Sequence, residues 1–535
     1  MNAKATWTIL VTDPLAEDGL RTLTGEPAFD VRVRPGLTGP DLLAEVASAH
    51  ALLVRSGTRV TAEVLEAGKR LRVVGRAGTG VDNIDVPAAT RRGVVVMNTP
   101  GGNSVAACEH TFALLLALLR NVPAAAADLA RGNWNRKAYL GHQLQGKVLG
   151  LVGFGRIGRE VATRARAFGM QVVVADPFVT ESLVREREAR LVEFPDLLAQ
   201  ADVVSLHVPI SPETRNLMNA ETLAAMKPGS VLVNCARGGL VDEAALVAAL
   251  DSGHLLGAAL DVFAQEPPDS GVTAHPRVVC TPHLGASTEE AQETVAVEIA
   301  RQVRAFLLDG EVRNAVNMPS LSAELYAQVR PHLDLAQRLG ALAGQIAGAP
   351  FPRLSVVLRG ESTTLPRAPV LSAALVGLLG TARGGSVVNY VNARLVASEL
   401  GMEIQETAVE ESGDHAGLLE VSVQGAARSC TVAGWVTPAG RPRLARWEGL
   451  SLDAPPGGDI LVLRNPDVPG VVGSIGSVLG EAGVNIGHIA WGRDQDLGEA
   501  FTLIHLDAPI PEALLASIRK HPKVFWAEAV SLPPC

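Results

Sequence analysis

Cysteine is scarce and scattered in this chain. The five residues, Cys108, Cys235, Cys280, Cys430 and Cys535, include no C-x-x-C pair, which suggests neither a zinc site nor any other metal centre, nor a disulfide framework, and makes a reducing cytoplasm the expected compartment. An excess of positive charge is also missing, since the formal net charge is -9. Nonspecific binding to nucleic acid or to an anionic membrane requires a basic face, so neither partner is expected, and any anionic ligand must find its cations locally. Long hydrophobic runs are absent as well. Trp7 to Val11 is too short for a signal-peptide core and reads as a first strand. The longest run, Phe112 to Leu119, is bounded by Glu109, His110 and Arg120. It falls well short of the roughly 18 residues of a membrane span and predicts a buried helix. No short fixed-period repeat of the solenoid kind is present.

What the chain has is apolar material in globular proportion: 47% apolar against 19% charged residues over 535 positions. That length exceeds one hydrophobic core, and two to four domains are expected. Over the first hundred residues, β-branched runs at Thr8 to Val11, Ala51 to Arg55, Val73 to Arg76 and Val94 to Asn98 alternate with helical patterns, the rhythm of a parallel α/β sheet. From Gly146 a second series follows, with strands predicted at Val148 to Val152, Val172 to Ala175, Val203 to His207, Val231 to Asn234, Ala258 to Val262 and Val278 to Thr281. Two Rossmann-like, doubly wound parallel-sheet domains in tandem are the expectation. The pattern changes after Asn317, Met318 and Pro319, and Asp453 to Asp459 reads as a turn-rich linker. Strand, helix and strand then follow at Ile460 to Arg464, Val471 to Ala482 and Ile486 to Ala490, opening a βαββαβ unit.

The second series carries G-x-G-x-x-G as Gly153, Gly155 and Gly158, directly after an apolar strand and opening a helix. Gly153 permits the tight turn, Gly155 lets a pyrophosphate approach the backbone, and Gly158 lets helix and strand pack closely. Asp176 ends the next strand at the spacing of an acid that binds ribose hydroxyls. A carboxylate there repels an additional ribose phosphate, so NAD is the expected cofactor rather than NADP.

Downstream, three segments close predicted strands: Asn234-Cys-Ala-Arg237-Gly-Gly, Asp261-Val-Phe-Ala-Gln-Glu266-Pro and Thr281-Pro-His283-Leu-Gly-Ala-Ser-Thr288. Oxidising a secondary alcohol needs a base for the hydroxyl proton, a cation for a substrate carboxylate and a partner that orients and tunes the base. His283, Arg237 and Glu266 supply those parts, and a carboxylate beside the imidazole favours its charged form. Singly, each has an ordinary structural explanation; behind a dinucleotide loop the combination is much harder to explain that way.

GFGRIG, CARGGLVDE, LDVFAQEP and PHLGAST together resemble the D-isomer-specific 2-hydroxyacid dehydrogenase family, and RAGTGVDNID with MNTPGGNS resembles its phosphoglycerate dehydrogenase branch. The resemblance covers residues 5 to 317. It implies His283 as acid/base, Glu266 as its partner and Arg237 as the anchor of the substrate carboxylate. It further implies Thr79, Arg156, Ile157, Asp176, Cys235, Ala236, Asp261, Gly285 and Ala286 around NAD. For a phosphorylated substrate the first domain offers Arg55, Arg76 and Arg136 beside Lys137, whose forks suit phosphate and carboxylate, with Ser56, Gly57, Gly78, Asn103 and Ser104 as further donors.

Residues 318–455 resemble the intervening domain of the longer members, notably through Val388 to Asn392, and 459–535 resemble an ACT domain. The resemblance thus implies a substrate-binding domain of 1–103 with 290–317, an NAD-binding domain of 104–289, an α+β intervening domain and a ferredoxin-like ACT domain. It also implies oxidation of 3-phospho-D-glycerate to 3-phosphohydroxypyruvate for L-serine synthesis, L-serine as effector, and a homotetramer whose dimer contact uses the helices near 104 to 131. Asn465, Asp467 and Asn485 are the effector candidates, since Gly470 opens a helix whose free N–H groups can hold a carboxylate. Arg464 and Asn465 stand where the family often has His or Tyr. Two other readings remain open at the level of sequence: another oxoacid reductase of the same family, and a nonenzymatic NAD-sensing corepressor-like protein.

Overall fold

Short apolar runs, each closed by a polar or turn residue, build four sheets in chain order. The protein is seen here as a computed structural model that describes residues 7–268, 270–319, 321, 323–382, 388–411 and 415–534; Cys535 lies outside them. The first sheet is parallel and has the order β2-β1-β3-β4-β5, from β1 (Trp7–Val11), β2 (Phe29–Val33), β3 (Ala51–Val54), β4 (Val73–Arg76) and β5 (Val95–Met97). The helix Glu289–Asp309 returns to this sheet, burying Val295, Ile299 and Val303 against Ile9, Val11 and Leu53.

The second sheet is also parallel, in the order β12-β11-β10-β9-β6-β7-β8. It comprises β6 (Val148–Val152), β7 (Gln171–Ala175), β8 (Arg190–Leu191), β9 (Val203–Leu206), β10 (Val231–Asn234), β11 (Gly257–Leu260) and β12 (Val278–Cys280). Across it packs the helix Ser104–Leu119, with Cys108, Phe112, Leu115 and Leu119 buried against Leu149, Leu151 and Val233. Full burial of each such leucine is worth about 1.5–3 kcal/mol. Of the helices near 104 to 131 expected to offer a dimer contact, this first one spends much of its apolar surface on its own sheet. The exposed apolar residues here are Val105 on this helix and, further on, Val122, Leu129, Trp134 and Leu140. Among the described residues no single helix is long and apolar enough to cross a membrane.

The third sheet is mixed, in the order β14-β13-β15-β16-β17-β18, from β13 (Arg353–Gly360), β14 (Glu403–Val409), β15 (Gly417–Gln424), β16 (Ser429–Val436), β17 (Pro442–Trp447) and β18 (Leu450–Ala454). The helices Ala323–Ala347 and Arg367–Ala382 cover it. The fourth is antiparallel, in the order β20-β21-β19-β22, from β19 (Gly458–Pro466), β20 (Ile486–Asp494), β21 (Glu499–Leu506) and β22 (Trp526–Leu532), with the helices Val471–Glu481 and Glu512–Arg519 completing βαββαβ.

The expected linker at Asp453 to Asp459 is corrected by this arrangement. Asp453 and Ala454 end β18 and Gly458 already begins β19. Alternate residues of β19 point into different cores: Leu461 and Leu463 pack under their own helices, whereas Ile460 and Val462 join the core of the third sheet with Trp447 and Leu354. Three turn residues connect two units that share a hydrophobic interior, so the units are docked rather than tethered.

Candidate active site

Strand order reverses between β6 and β9, which opens a crevice at their carboxyl ends. Gly153 leaves β6 at φ +97°, and a Cβ there would stand 2.6 Å from the carbonyl oxygen of His207. A Cβ on Gly158 would strike the carbonyl oxygen of Gly153, whereas one on Gly155 would meet nothing within 4 Å. The loop is therefore closed at its first and third glycines and open at its second, the shape a pyrophosphate needs above the first turn of the helix Arg156–Ala167. Asp176 follows β7 and faces this loop; its carboxylate accepts from the backbone N–H of Phe154 at 2.7 Å and of Phe178 at 2.9 Å. Beneath the loop, burial pushes His207 down to about 4, so the ring is neutral there. Arg156 reaches toward the first unit, where a Cβ on Gly101 would come within 2.8 Å of its guanidinium. Ile157 continues the same first helical turn.

The three reactive candidates leave the carboxyl ends of adjacent strands β10, β11 and β12, which pair in register as Asn234 to Leu260 and Leu260 to Cys280. His283 Nδ1 lies 2.8 Å from Glu266 Oε2, both side chains being about half exposed. That contact leaves Nε2 as the ring atom open to a ligand. His283 itself holds a left-handed backbone at φ +57°, uncommon for a residue with a side chain. Asp261 over-determines that turn. The Asp261 carbonyl accepts from His283 N–H at 2.9 Å, while its buried carboxylate accepts from the N–H groups of Leu284 and Gly285 at 2.7 Å each and from Thr281 Oγ1 at 2.6 Å. His110 Nε2 adds a contact at 3.1 Å. Burial alone would raise the Asp261 carboxyl, but the bonds from His110, Thr281, Leu284 and Gly285 prevail and hold it below the usual carboxylate range. Ala286 follows this anchored turn. On β10's loop the Ala236 N–H bonds the Asn234 side chain at 3.1 Å, and burial pushes the Cys235 thiol up to about 12, which keeps it protonated.

Arg237 spans the two units. Its Nε donates to Asp82 Oδ2 at 2.9 Å and its Nη1 to the Ala236 carbonyl at 2.6 Å. Gly80 makes this approach possible, because a Cβ there would collide with the guanidinium. Arg76, at the end of β4, has a buried Nε with no hydrogen-bond partner among the described residues. Burial, with the charges of Arg237 and Arg55 adding to it, pushes this guanidinium down to about 10. Arg55, Arg76 and Arg237 thus converge on one crevice.

The loop of Arg55, Ser56 and Gly57 is held from outside. Asp13 accepts from the N–H groups of Arg55 at 2.5 Å and Thr58 at 3.1 Å, and Asn83 donates to the carbonyls of Arg55 and Thr58 at 2.7 Å each. Gly78 N–H donates to Thr99 at 2.8 Å and Thr79 Oγ1 to Asn103 at 2.7 Å, which joins the two loops ahead of Ser104. Arg136 stands on the exposed 3-10 turn Arg136–Tyr139, and no hydrogen bond or ion pair among the described residues ties it to the crevice. Sequence reasoning missed Asp13, Asp82, Asn83 and His110. The single hint for Asp13 was an acid following a first apolar strand, and for Asp82 and Asn83 their place in the RAGTGVDNID motif.

In the C-terminal unit the effector candidates are not all displayed. Asn465 is buried, its amide donating to the Pro466 carbonyl at 2.9 Å and accepting from Thr502 at 2.9 Å, so its expected ligand role gives way to a structural one. Asp467 pairs with Arg493 at 2.7 Å, and Asn485 donates to Asp507 at 2.6 Å. Gly470, at φ +87°, does open the helix Val471–Glu481.

The chain matches three family descriptions: D-isomer specific 2-hydroxyacid dehydrogenase, NAD binding domain, over residues 112–285; D-3-phosphoglycerate dehydrogenase intervening domain, over 328–447; and ACT domain, over 460–523. It is 42% identical to a D-3-phosphoglycerate dehydrogenase of Synechocystis sp. over 98% of this chain and 94% of that one. It is 38% identical to the corresponding protein of Bacillus subtilis over 98% and 99%. Among solved structures, an NAD-dependent formate dehydrogenase from Staphylococcus aureus in complex with NAD superposes with a TM-score of 0.54 at 30% identity, covering 59% of this chain and all of that one. A D-lactate dehydrogenase from Aquifex aeolicus with NAD and lactic acid gives 0.52 at 28%, covering 58% of this chain and all of that one.

Proposed function

We propose residue roles from one premise: this chain belongs to the D-3-phosphoglycerate dehydrogenase family, NAD-dependent oxidoreductases built on the D-isomer-specific 2-hydroxyacid dehydrogenase fold. The reaction is oxidation of 3-phospho-D-glycerate to 3-phosphohydroxypyruvate, which feeds L-serine synthesis. The first unit, 1–103 with 290–317, holds substrate, and 104–289 hold NAD. NAD, seated by Gly153, Gly155, Gly158 and Asp176, supplies the acceptor for the hydride that leaves C2.

The chain's own groups do the rest. Glu266 keeps the Nδ1 proton on His283, so Nε2 is free to take the proton of the C2 hydroxyl during oxidation and to return it during reduction. Arg237 turns from Asp82 to the substrate carboxylate, and its positive charge polarises the C2 oxygen. Arg55 and Arg76 receive the phosphate, which relieves their mutual repulsion and gives the buried Arg76 Nε an acceptor. Asp261 places nothing on the substrate; it positions the backbone that carries His283.

The observation that carries this reading is the 2.8 Å His283–Glu266 contact on loops adjoining the Arg237 loop. Its test follows NADH oxidation with 3-phosphohydroxypyruvate. Robust turnover supports it, whereas turnover confined to glyoxylate or unphosphorylated hydroxypyruvate favours the reductase reading, and NADH binding without turnover favours the corepressor-like one.

Finer assignments belong to the same proposal. Exposed Val122, Leu129, Trp134 and Leu140 form the apolar part of a dimer contact, Arg136 meets the phosphate once that contact forms, and two dimers make a tetramer. L-serine binds near Asp467, Asn485 and the N–H groups after Gly470, and the enzyme works in the cytoplasm. Calorimetry with L-serine and glycine tests the effector; no heat with either makes the C-terminal unit a dimerisation module.

A further inference from the structure

A cavity of ≈ 1110 Å³ lies far from the crevice, where the first unit meets the third sheet's helices. It opens at the amino ends of β4 and β5, whereas the catalytic loops leave the carboxyl ends. Lys69, Arg70, Arg72, Arg91, Arg92 and Arg330 line it, against only two carboxylates, Asp334 and Glu399. Asp334 is already engaged by Arg338 at 2.8 Å. None of the six cations is ion-paired among the described residues. Such a concentration is costly to keep through self-repulsion and runs against the charge of a protein that is -9 overall. The positive field reaches neighbouring groups: His50 is pushed down by burial and then by the charges of Arg70 and Arg72.

The cavity is more than an anion cup. Tyr326 and Tyr390 line it beside the cations, with Tyr390 fixed by its hydroxyl on Gln337 at 3.1 Å. A three-carbon phosphate would leave most of this volume empty, since pockets of roughly 300–1,000 Å³ suit drug-sized ligands. The cavity's roof also links the two halves of the chain: Asn389 donates to the Gly93 carbonyl at 2.8 Å, directly beside Arg92. The geometry points to a binding site for a nucleoside polyphosphate, whose phosphates meet the arginine rim and whose ring system lies on the tyrosines, at the junction of the catalytic and intervening units.

The test is calorimetry on the full chain with its dinucleotide site saturated by NADH, using ATP, tripolyphosphate and inorganic phosphate as probes. ATP is expected to bind, and an Arg92→Gln/Arg330→Gln double variant to bind it at least tenfold more weakly while keeping wild-type NADH oxidation without ATP. Tyr326→Leu is expected to weaken ATP but not tripolyphosphate. Absence of ATP binding to the wild type, or binding unchanged in the double variant, overturns the site. Equal affinity for ATP and tripolyphosphate, unaffected by Tyr326→Leu, overturns the nucleoside assignment. Should the double variant not fold, each single substitution carries the same comparison, and wild-type ATP binding that is indifferent to ionic strength overturns the role of the cations.

Discussion

Two histidine–carboxylate pairs lie at the same end of the second sheet, and they are built to opposite specifications. His283 meets Glu266 through one contact at 2.8 Å with both side chains about half exposed. His110 meets Asp261 at 3.1 Å where the carboxylate is 1% exposed and receives three further donors. The first pair spends one ring nitrogen and leaves the other open, as the proposed acid/base role requires. The second has its carboxylate fully engaged, by the side chains of His110 and Thr281 and by two backbone N–H groups of the turn that carries His283 at positive φ. On the roles proposed for them, the two pairs differ in how many of their lone pairs are already committed.

Substitutions that separate the two pairs should rank accordingly. His283→Ala removes the general acid/base and should lower turnover by about 10² to 10⁴, with NADH affinity, measured by fluorescence titration, unchanged; wild-type turnover would refute the assignment. Glu266→Gln keeps the size but loses a charge-assisted hydrogen bond worth about 1.5–3 kcal/mol, so turnover should fall roughly 10- to 100-fold with the melting temperature unchanged. A large loss of stability without loss of turnover would make Glu266 the structural partner.

Asp261→Asn should do the reverse, reading out first in stability. Its folded-state pKa is lowered, so its contribution is fully present above the unfolded value of about 3.9 and is lost as pH falls through the folded value. At pH 7 the variant should be less stable by about 1–3 kcal/mol. The gap to wild type should close on acidification below about pH 4, measured as melting temperature from pH 7 to 3. A gap independent of pH would remove the carboxylate charge from the account.

The His283–Glu266 pair was legible in the sequence and the His110–Asp261 pair was not, for a physical reason. Glu266 follows β11, which is fully buried, and His283 follows β12, a half-buried edge strand; both strands carry short continuous apolar runs that a sequence shows directly. His110 looked like the polar edge of an apolar helix, because its partner is 151 residues away. Asp13 and Asp82 were hidden in the same way, acting across 42 and 155 residues. The β2 strand went unpredicted because Asp30 and Arg32 interrupt its apolar residues, and β8 because it has only two residues. Asp453 to Asp459 misled through composition: Pro and Gly suggested a tether, while the run Ile460-Leu-Val-Leu463 that follows already carried the signature of a strand buried on both sides. Asn465 misled in another way, since a polar residue before a loop looks available until Thr502 is found opposite it.

A third pair, Arg237 with Asp82, sits between the two extremes and gives the smallest of the expected effects. Asp82 is about half exposed and Arg237 rather less, so the pair is screened by solvent and is worth about 0.2–1 kcal/mol. On the role proposed for Arg237, the Asp82 carboxylate occupies the guanidinium that the substrate carboxylate would use, so binding would exchange one acid for another. Asp82→Asn removes the competitor and should lower KM for 3-phosphohydroxypyruvate by no more than about fivefold, the factor that 1 kcal/mol allows, with kcat unchanged. A rise in KM would mean that Asp82 aims Arg237 rather than competes for it, which would align this pair with His110–Asp261 instead of with His283–Glu266.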